Sequence, residues 1–411
     1  MLKRGLMILA AGVALAASAG AATIDFDTAG TGIDKSELRG LSVPLPSADR
    51  VDEKEWTVMV YLNGKNSMED MAMVAANKLE SVGSTDKVNI VMELGRIKGY
   101  SSDDGNWTGS RRYLAQKDKL PMEITSPVLA SFPGVDMGDY RHLAEFGQWA
   151  RANFPAKRYM LVVWYGDGWR PKGRALSFDE ETYNRISTPQ LGQALSQIGR
   201  LDIFASDAGM MQMAGVDYEI RKYADYILGS EETSPGEGYP YDTILSMLIY
   251  DFTISPENLG SLAVDAFYDY YNRIEIGTLS LVRSERLPRL LALTNDWTAA
   301  VMGAGETELV KKAHKSAQSF VYTDNKDLHD FVRLIYEGTV NAAVREKSRV
   351  LMEFIQGSLV VNSCTFSDDL VNARGIAVYL PVYGYNPAYD QLAWAKDGNW
   401  DEFAQWVMKL K

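Results

Sequence analysis

Between residues 56 and 230 apolar runs of strand length alternate with segments of helical period, and that alternation limits the fold more than anything else in the chain. Trp56-Thr57-Val58-Met59-Val60-Tyr61-Leu62 has the length and β-branched content of a buried strand, and Asn63-Gly64 marks a turn behind it. Met68, Met71, Ala75, Leu79 and Val82 follow at helical spacing, then a second strand-like run, Val88–Met92. The order repeats: a helical segment around Leu143–Trp149 leads to Tyr159–Trp164, and Leu191–Ile198 leads to Leu201–Ala205. A further helix is expected from Met210, ahead of a strand at Tyr226–Ser230. Strand, helix, strand in this order makes parallel crossover units, so the expected class is α/β, a mostly parallel sheet with helices on both faces. After about residue 250 helices dominate, beginning at Ser255-Pro256-Glu257, a capping serine followed by proline at the first helical position. Strand-like segments return at Thr278–Val282, Leu359–Phe366 and Arg374–Leu380.

The organisation read from this pattern has four parts. Residues 1–22 form a secretory signal: Lys3 and Arg4 precede an apolar run from Leu6 to Ala17, and small residues follow at Ser18–Ala22. Residues 23–52 read as a flexible leader, 53–250 as the sheet-bearing core and 251–411 as a helix-rich C-terminal part of the same unit. The expected destination is the periplasm or the medium. No later run reaches the roughly 18 apolar residues of a membrane span.

The formal charge is −12, and losing the signal with its two bases leaves the mature chain more acidic still. Such a surface repels phosphate, which excludes nucleic acid as a partner and suits peptides with basic side chains. Cys364 is the sole cysteine among 411 residues, so neither an intrachain disulfide nor a cysteine-based metal site can form. Its place in a strand-like run is that of a small buried hydrophobe. The three histidines, His142, His314 and His329, show no metal-ligand spacing.

In open α/β sheets ligands bind beyond the carboxyl ends of the strands. Three segments occupy such positions: Trp164-Tyr165-Gly166-Asp167-Gly168-Trp169, Ser206-Asp207-Ala208-Gly209 and Glu231–Tyr241. They are expected to meet on one rim. The acids there are Asp167, Asp207, Glu231, Glu232 and Glu237, beside Trp169. Asp207 could hold a guanidinium or ammonium through charge-assisted hydrogen bonds, or cap the helix that follows. The glutamates could divide acid and base roles or bind a cation such as calcium, although no EF-hand spacing is present. Thr233-Ser234-Pro235-Gly236 reads as a turn that shapes the rim.

The segment Asp207-Ala208-Gly209, with Met211 and the later Ser230-Glu231-Glu232-Thr233-Ser234-Pro235-Gly236, resembles the nucleophile region of the clostripain family of cysteine peptidases. The resemblance extends from about Glu55 to the C-terminus, including Ala373–Pro381 and Asn399–Phe403. It implies a caspase-like fold, cleavage after basic residues, Asp207 in a pocket for Arg or Lys, and a link to calcium. That family carries cysteine where this chain has Gly209. It carries histidine in a Trp-x-His-Gly-x-Gly-Trp turn, of which Trp164–Trp169 is a version one residue shorter, with Tyr165 nearest the histidine position. Thiol catalysis needs a sulfur and a base beside it, and both positions are substituted. The chain therefore reads as a non-catalytic homologue whose pocket binds a peptide or partner. The alternatives are an active endopeptidase of the family, a hydrolase built on the rim carboxylates, and a surface-interaction protein. Tyr165 either fills the space beside Gly209 or offers its hydroxyl to a ligand.

Overall fold

Alternate residues of the first strand enter two separate cores. In a computed structural model that describes residues 53–165, 176–272 and 275–410, Trp56, Val58, Val60 and Leu62 pack on one face of the sheet. Met59 and Tyr61 pack on the other. A strand covered on both sides reads as a continuous apolar run because neither side-chain row meets water.

That strand is β1 (Lys54–Gly64). The others in chain order are β2 (Val88–Arg96), β3 (Gly109–Leu114), β4 (Val128–Phe132), β5 (Ala156–Trp164), β6 (Leu176–Asp179), β7 (Asn184–Ile186), β8 (Leu201–Asp207), β9 (Ala224–Gly229), β10 (Gly277–Arg283), β11 (Asn325–Asp327), β12 (Val360–Phe366) and β13 (Ala377–Tyr379). Nine of them form one sheet in the order β12-β10-β9-β8-β5-β1-β2-β3-β4. Its centre, from β2 to β9, is parallel. Antiparallel pairs close both edges, β3 and β4 on one side and β10 and β12 on the other. The fold is thus the expected α/β class with a mostly parallel sheet.

Helices Glu69–Val82, Tyr241–Tyr250 and Pro256–Tyr271 cover one face. Helices Tyr140–Asn153, Thr188–Ile198 and Ala214–Ile220 cover the other, together with the helices after residue 287. The cap proposed at Ser255 is formed: its hydroxyl accepts the Asn258 N–H at 3.2 Å. The helix expected from Met210 starts later, at Ala214, because Gly209 and Met210 form a turn and residues 210–213 bond to neighbouring segments instead. Met210 and Gln212 donate to the carbonyls of Glu232 and Ser230, and Met213 bridges to Ala377.

The C-terminal part supplies β10 and β12 to the sheet and much of the core on one face, so sheet and core continue past residue 250. The late strand-like run Arg374–Leu380 does not join that sheet. Only Ala377–Tyr379 is strand, paired with β11 in a separate two-stranded ribbon. The signal and leader, residues 1–52, lie outside the described residues. No helix among the described residues is long and apolar enough to cross a membrane.

Candidate functional site

The carboxyl ends of β5 and β8 meet the segment after β9 in a cleft that encloses roughly 80 Å³. Trp164 and Tyr165 enter it from β5, and Asp207, Ala208, Gly209 and Met210 from β8. Thr233–Gly236 forms the facing wall, with Met68 between. The backbone here is tied and strained. The Tyr165 N–H donates to the Asp207 carbonyl at 2.9 Å, and the Tyr165 carbonyl accepts from Ser177 N–H at 2.9 Å. Tyr165, Ser177 and Met210 all have positive φ (66°, 55° and 55°), a conformation that non-glycine residues adopt at a cost and that clusters at functional sites.

Asp207 is the charged group of the cleft. Its side chain is buried. Oδ2 accepts from the Tyr239 N–H at 2.8 Å and the Tyr241 hydroxyl at 2.7 Å, while Oδ1 has no hydrogen-bond partner. Burial pushes its carboxyl up to about 6, against the opposing pull of Tyr241, the Tyr239 amide and Lys78. It does not cap a helix: the next one begins seven residues on, without a side-chain cap. Gly238, at φ 70°, lets the Tyr239 segment approach this closely, since a Cβ there would lie 2.3 Å from Asp207 Oδ2 and 2.8 Å from Trp164 Nε1.

At Gly209 the backbone is packed against the opposite wall. A Cβ would stand 2.7 Å from Thr233 Cα, 3.1 Å from Ser234 N and 3.2 Å from the Glu232 carbonyl oxygen. The space that a side chain at this position would need is taken by main chain. The Ser234 hydroxyl, on the same wall, is buried and without a partner.

The other acids expected on the rim are placed differently. Glu231 is buried and directed away from the cleft: Oε2 accepts the Gly375 N–H at 2.8 Å, and its carboxyl faces Asp327. Glu232 is a brace, with Oε1 accepting from Thr233 N–H and Oε2 from Val321 N–H at 2.9 Å. Glu237 pairs with Lys78 at 3.1 Å and accepts from the Tyr270 hydroxyl, on the exposed side. None of the three lines the cleft. A hydrolase using these carboxylates as its acid and base has no support in this geometry. Asp167 and Trp169 lie outside the described residues. Among the described residues no three histidine, cysteine or acidic side chains come together as metal ligands.

Among the described residues no thiol or imidazole lines the cleft. Cys364 sits on β12, three strands from β8, and burial pushes its thiol up to about 12. His142 is bound to Glu93, and His314 to the Leu380 carbonyl, at 3.1 Å. His329 stands on helix Leu328–Gly338, where burial lowers it to about 4.

One supporting feature had no signal in the sequence beyond polar residues at a turn. Lys65, just past β1, is buried against Asp179 at 3.0 Å, with Glu181 closing on it from outside. Asn63 donates to the Ser177 hydroxyl and the Phe178 carbonyl, at 3.0 Å each. Together they fasten the β6–β7 hairpin beside the end of β1.

A parallel-centred sheet between two helical layers, with a cleft where two adjacent strands end, defines the caspase-like class of α/β proteins. The chain belongs to the clostripain family, whose model matches residues 60–406. Its solved relatives include a secreted C11 cysteine protease from Bacteroides thetaiotaomicron in complex with an irreversible peptide inhibitor. That structure is 21% identical, covers 86% of this chain and 99% of its own, and superposes with a TM-score of 0.63. An inactive zymogen C11 protease from Parabacteroides distasonis is 20% identical over 84% of this chain and 98% of its own, with the same TM-score of 0.63. At these identities the likeness concerns the fold. No curated protein matches the chain.

Proposed function

We propose that this clostripain-family protein is a non-catalytic homologue, exported by its N-terminal signal, whose cleft binds a basic side chain of a peptide or protein partner. The observation that carries the reading is the buried, unpartnered Oδ1 of Asp207 in a cleft whose neighbouring wall leaves no room for a side chain at position 209. A buried carboxylate with a vacant acceptor is costly unless a donor completes it, and a cation does so best. Without a thiol or an imidazole among its described lining, the same cleft has no means of forming the thioester intermediate of a cysteine peptidase.

The test is twofold. Purified mature protein should show no turnover of Arg- or Lys-containing peptides, and a thiol-directed inhibitor should change nothing; inhibitor-sensitive turnover that disappears in Cys364→Ser would refute the non-catalytic reading. The same peptides should bind weakly, and more weakly as salt rises. Binding needs the ionised carboxylate, so it should fade as pH falls through about 6 and be reduced in Asp207→Asn. Calorimetric titrations with equal affinity at pH 5 and pH 8 would remove Asp207 from the site.

A further inference from the structure

Behind the cleft wall two buried acids stand side by side. Glu231 leaves the end of β9, and Asp327 ends β11 and caps helix Leu328–Gly338 by accepting the Asp330 N–H at 2.6 Å. Both side chains are excluded from water. They hold consecutive amides of one turn: Asp327 Oδ2 accepts from Arg374 N–H at 2.6 Å, and Glu231 Oε2 accepts from Gly375 N–H at 2.8 Å. Adjacent residues have Cα atoms about 3.8 Å apart, so the two carboxyl groups are brought into contact by the turn itself. The Glu231 Oε1 atom meets no N–H or hydroxyl donor.

The segment that runs from Ser230 through Glu231 is also the wall over Gly209. Its carbonyls at Ser230 and Glu232 accept from Gln212 and Met210, at 2.9 Å each. The turn after it is joined to the same place, since the Ala377 N–H donates to the Gln212 carbonyl at 3.0 Å. We propose that Glu231 and Asp327 form a proton-sharing latch that clamps the 230–236 wall onto the 209–212 segment, and that loss of the shared proton releases the wall and opens the cleft. With one proton between them the pair is a carboxyl donating to a carboxylate. When that proton passes to solvent, two anions face each other without water.

The surroundings offset this second charge only in part: burial and Asp327 raise Glu231 more than the Gly375 amide and the Arg374 charge draw it down. Arg374 is the base on the turn, and its guanidinium already donates to the Val371 and Ala373 carbonyls. Asp330 adds a further acid, itself bound to Arg333 and the Gln318 N–H. His329 on the same helix is held largely uncharged by burial. From β10 the neutral Thr278 hydroxyl accepts the Glu231 N–H at 2.9 Å. Burial, then the neighbouring Asp327, pushes Glu231 well above the usual carboxylate range, and burial pushes Asp327 up to about 7. Both carboxyls thus hold protons more tightly with the latch closed. Closure is favoured at low pH, and its advantage is lost as pH rises from the ordinary carboxylate value of about 4 through those raised values.

The latch does not depend on what the cleft binds, and hydrogen exchange tests it directly. Peptides spanning 207–214 and 230–238, corrected for intrinsic rates, should lose about tenfold or more of their protection between pH 6 and pH 9, tenfold being one unit of pKa difference between closed and open states. Glu231→Gln replaces the shared proton with an amide donor and keeps an acceptor for Gly375, so its protection should stay flat over the same range. Asp327→Asn, approached from the other partner, should flatten the profile even if its baseline protection is lower. Wild-type protection that does not change with pH overturns the latch, and so does a fall that persists in both variants.

Discussion

On the proposed non-catalytic reading, Gly209 stands against thiol catalysis in two ways, one chemical and one steric. The chemical one was legible in the residues, because a glycine has no nucleophile. The steric one was not: Thr233, Ser234 and Glu232 bring main chain to where a Cβ would project. Gly209→Cys should therefore overpack the wall, costing about 1–3 kcal/mol, visible as a lower urea midpoint with an unchanged slope. The new thiol should react slowly with iodoacetamide, and adding Tyr165→His should yield no peptidase. A stable variant that alkylates at the rate of a free thiol would mean the wall stands off the strand in solution. Asp207 was legible as a candidate carboxylate, but its alternatives were not separable until Tyr239, Tyr241 and the late start of the next helix were placed.

Among the elements, those with an apolar period were read closely and those held by charge were not. β1, β2, β5, β8 and β9 follow the predicted runs within a few residues at their ends. β3 was missed because its row mixes arginines and small residues, whose burial depends on partners elsewhere, and β4 because it is a short, largely exposed edge strand. Arg112 is buried by Glu93 at 2.7 Å and reaches Glu145 at 2.8 Å. The same device fastens helix Glu69–Val82 to β2: Arg96 Nε meets Glu69 Oε1 at 2.7 Å, with both side chains buried. Glu69→Ala should cost roughly 3–5 kcal/mol, because it leaves Arg96 buried without its counter-charge. The double variant Glu69→Leu with Arg96→Met should recover much of that loss. Thermal melts of the three proteins decide it, and a single variant as stable as wild type would show that Arg96 finds water or another acceptor.

For the molecule as a whole, the change from alternating strands and helices to mostly helices near residue 250 does not mark a point where the fold can be cut. β10 pairs with β9, so ending the chain there would leave β9 as an open edge. Trp297, Phe331, Leu351, Trp394 and Phe403 share one core with Leu143, Leu161 and Phe204. A fragment of residues 53–250 should fail to fold alone, showing aggregation or rapid proteolysis, whereas 53–411 should resist both. A soluble fragment with a cooperative melt would place an independent domain boundary where the sheet shows none.

What the sequence determined by itself was the periodic part: strand and helix order, burial on both sheet faces, and the placing of candidate segments at strand ends, with glycine at position 209 and tyrosine at 165. These follow from residue type and spacing along the chain, which local geometry turns into structure wherever a whole face is apolar. What only the tertiary structure decided was where each acid points. Asp207 faces the cleft with one oxygen unpartnered, Glu231 turns inward to Asp327, Glu232 braces Val321, and Glu237 turns outward to Lys78. A carboxylate's orientation and charge are set by burial and by donors that lie tens to more than a hundred residues away in sequence, and no local pattern encodes them.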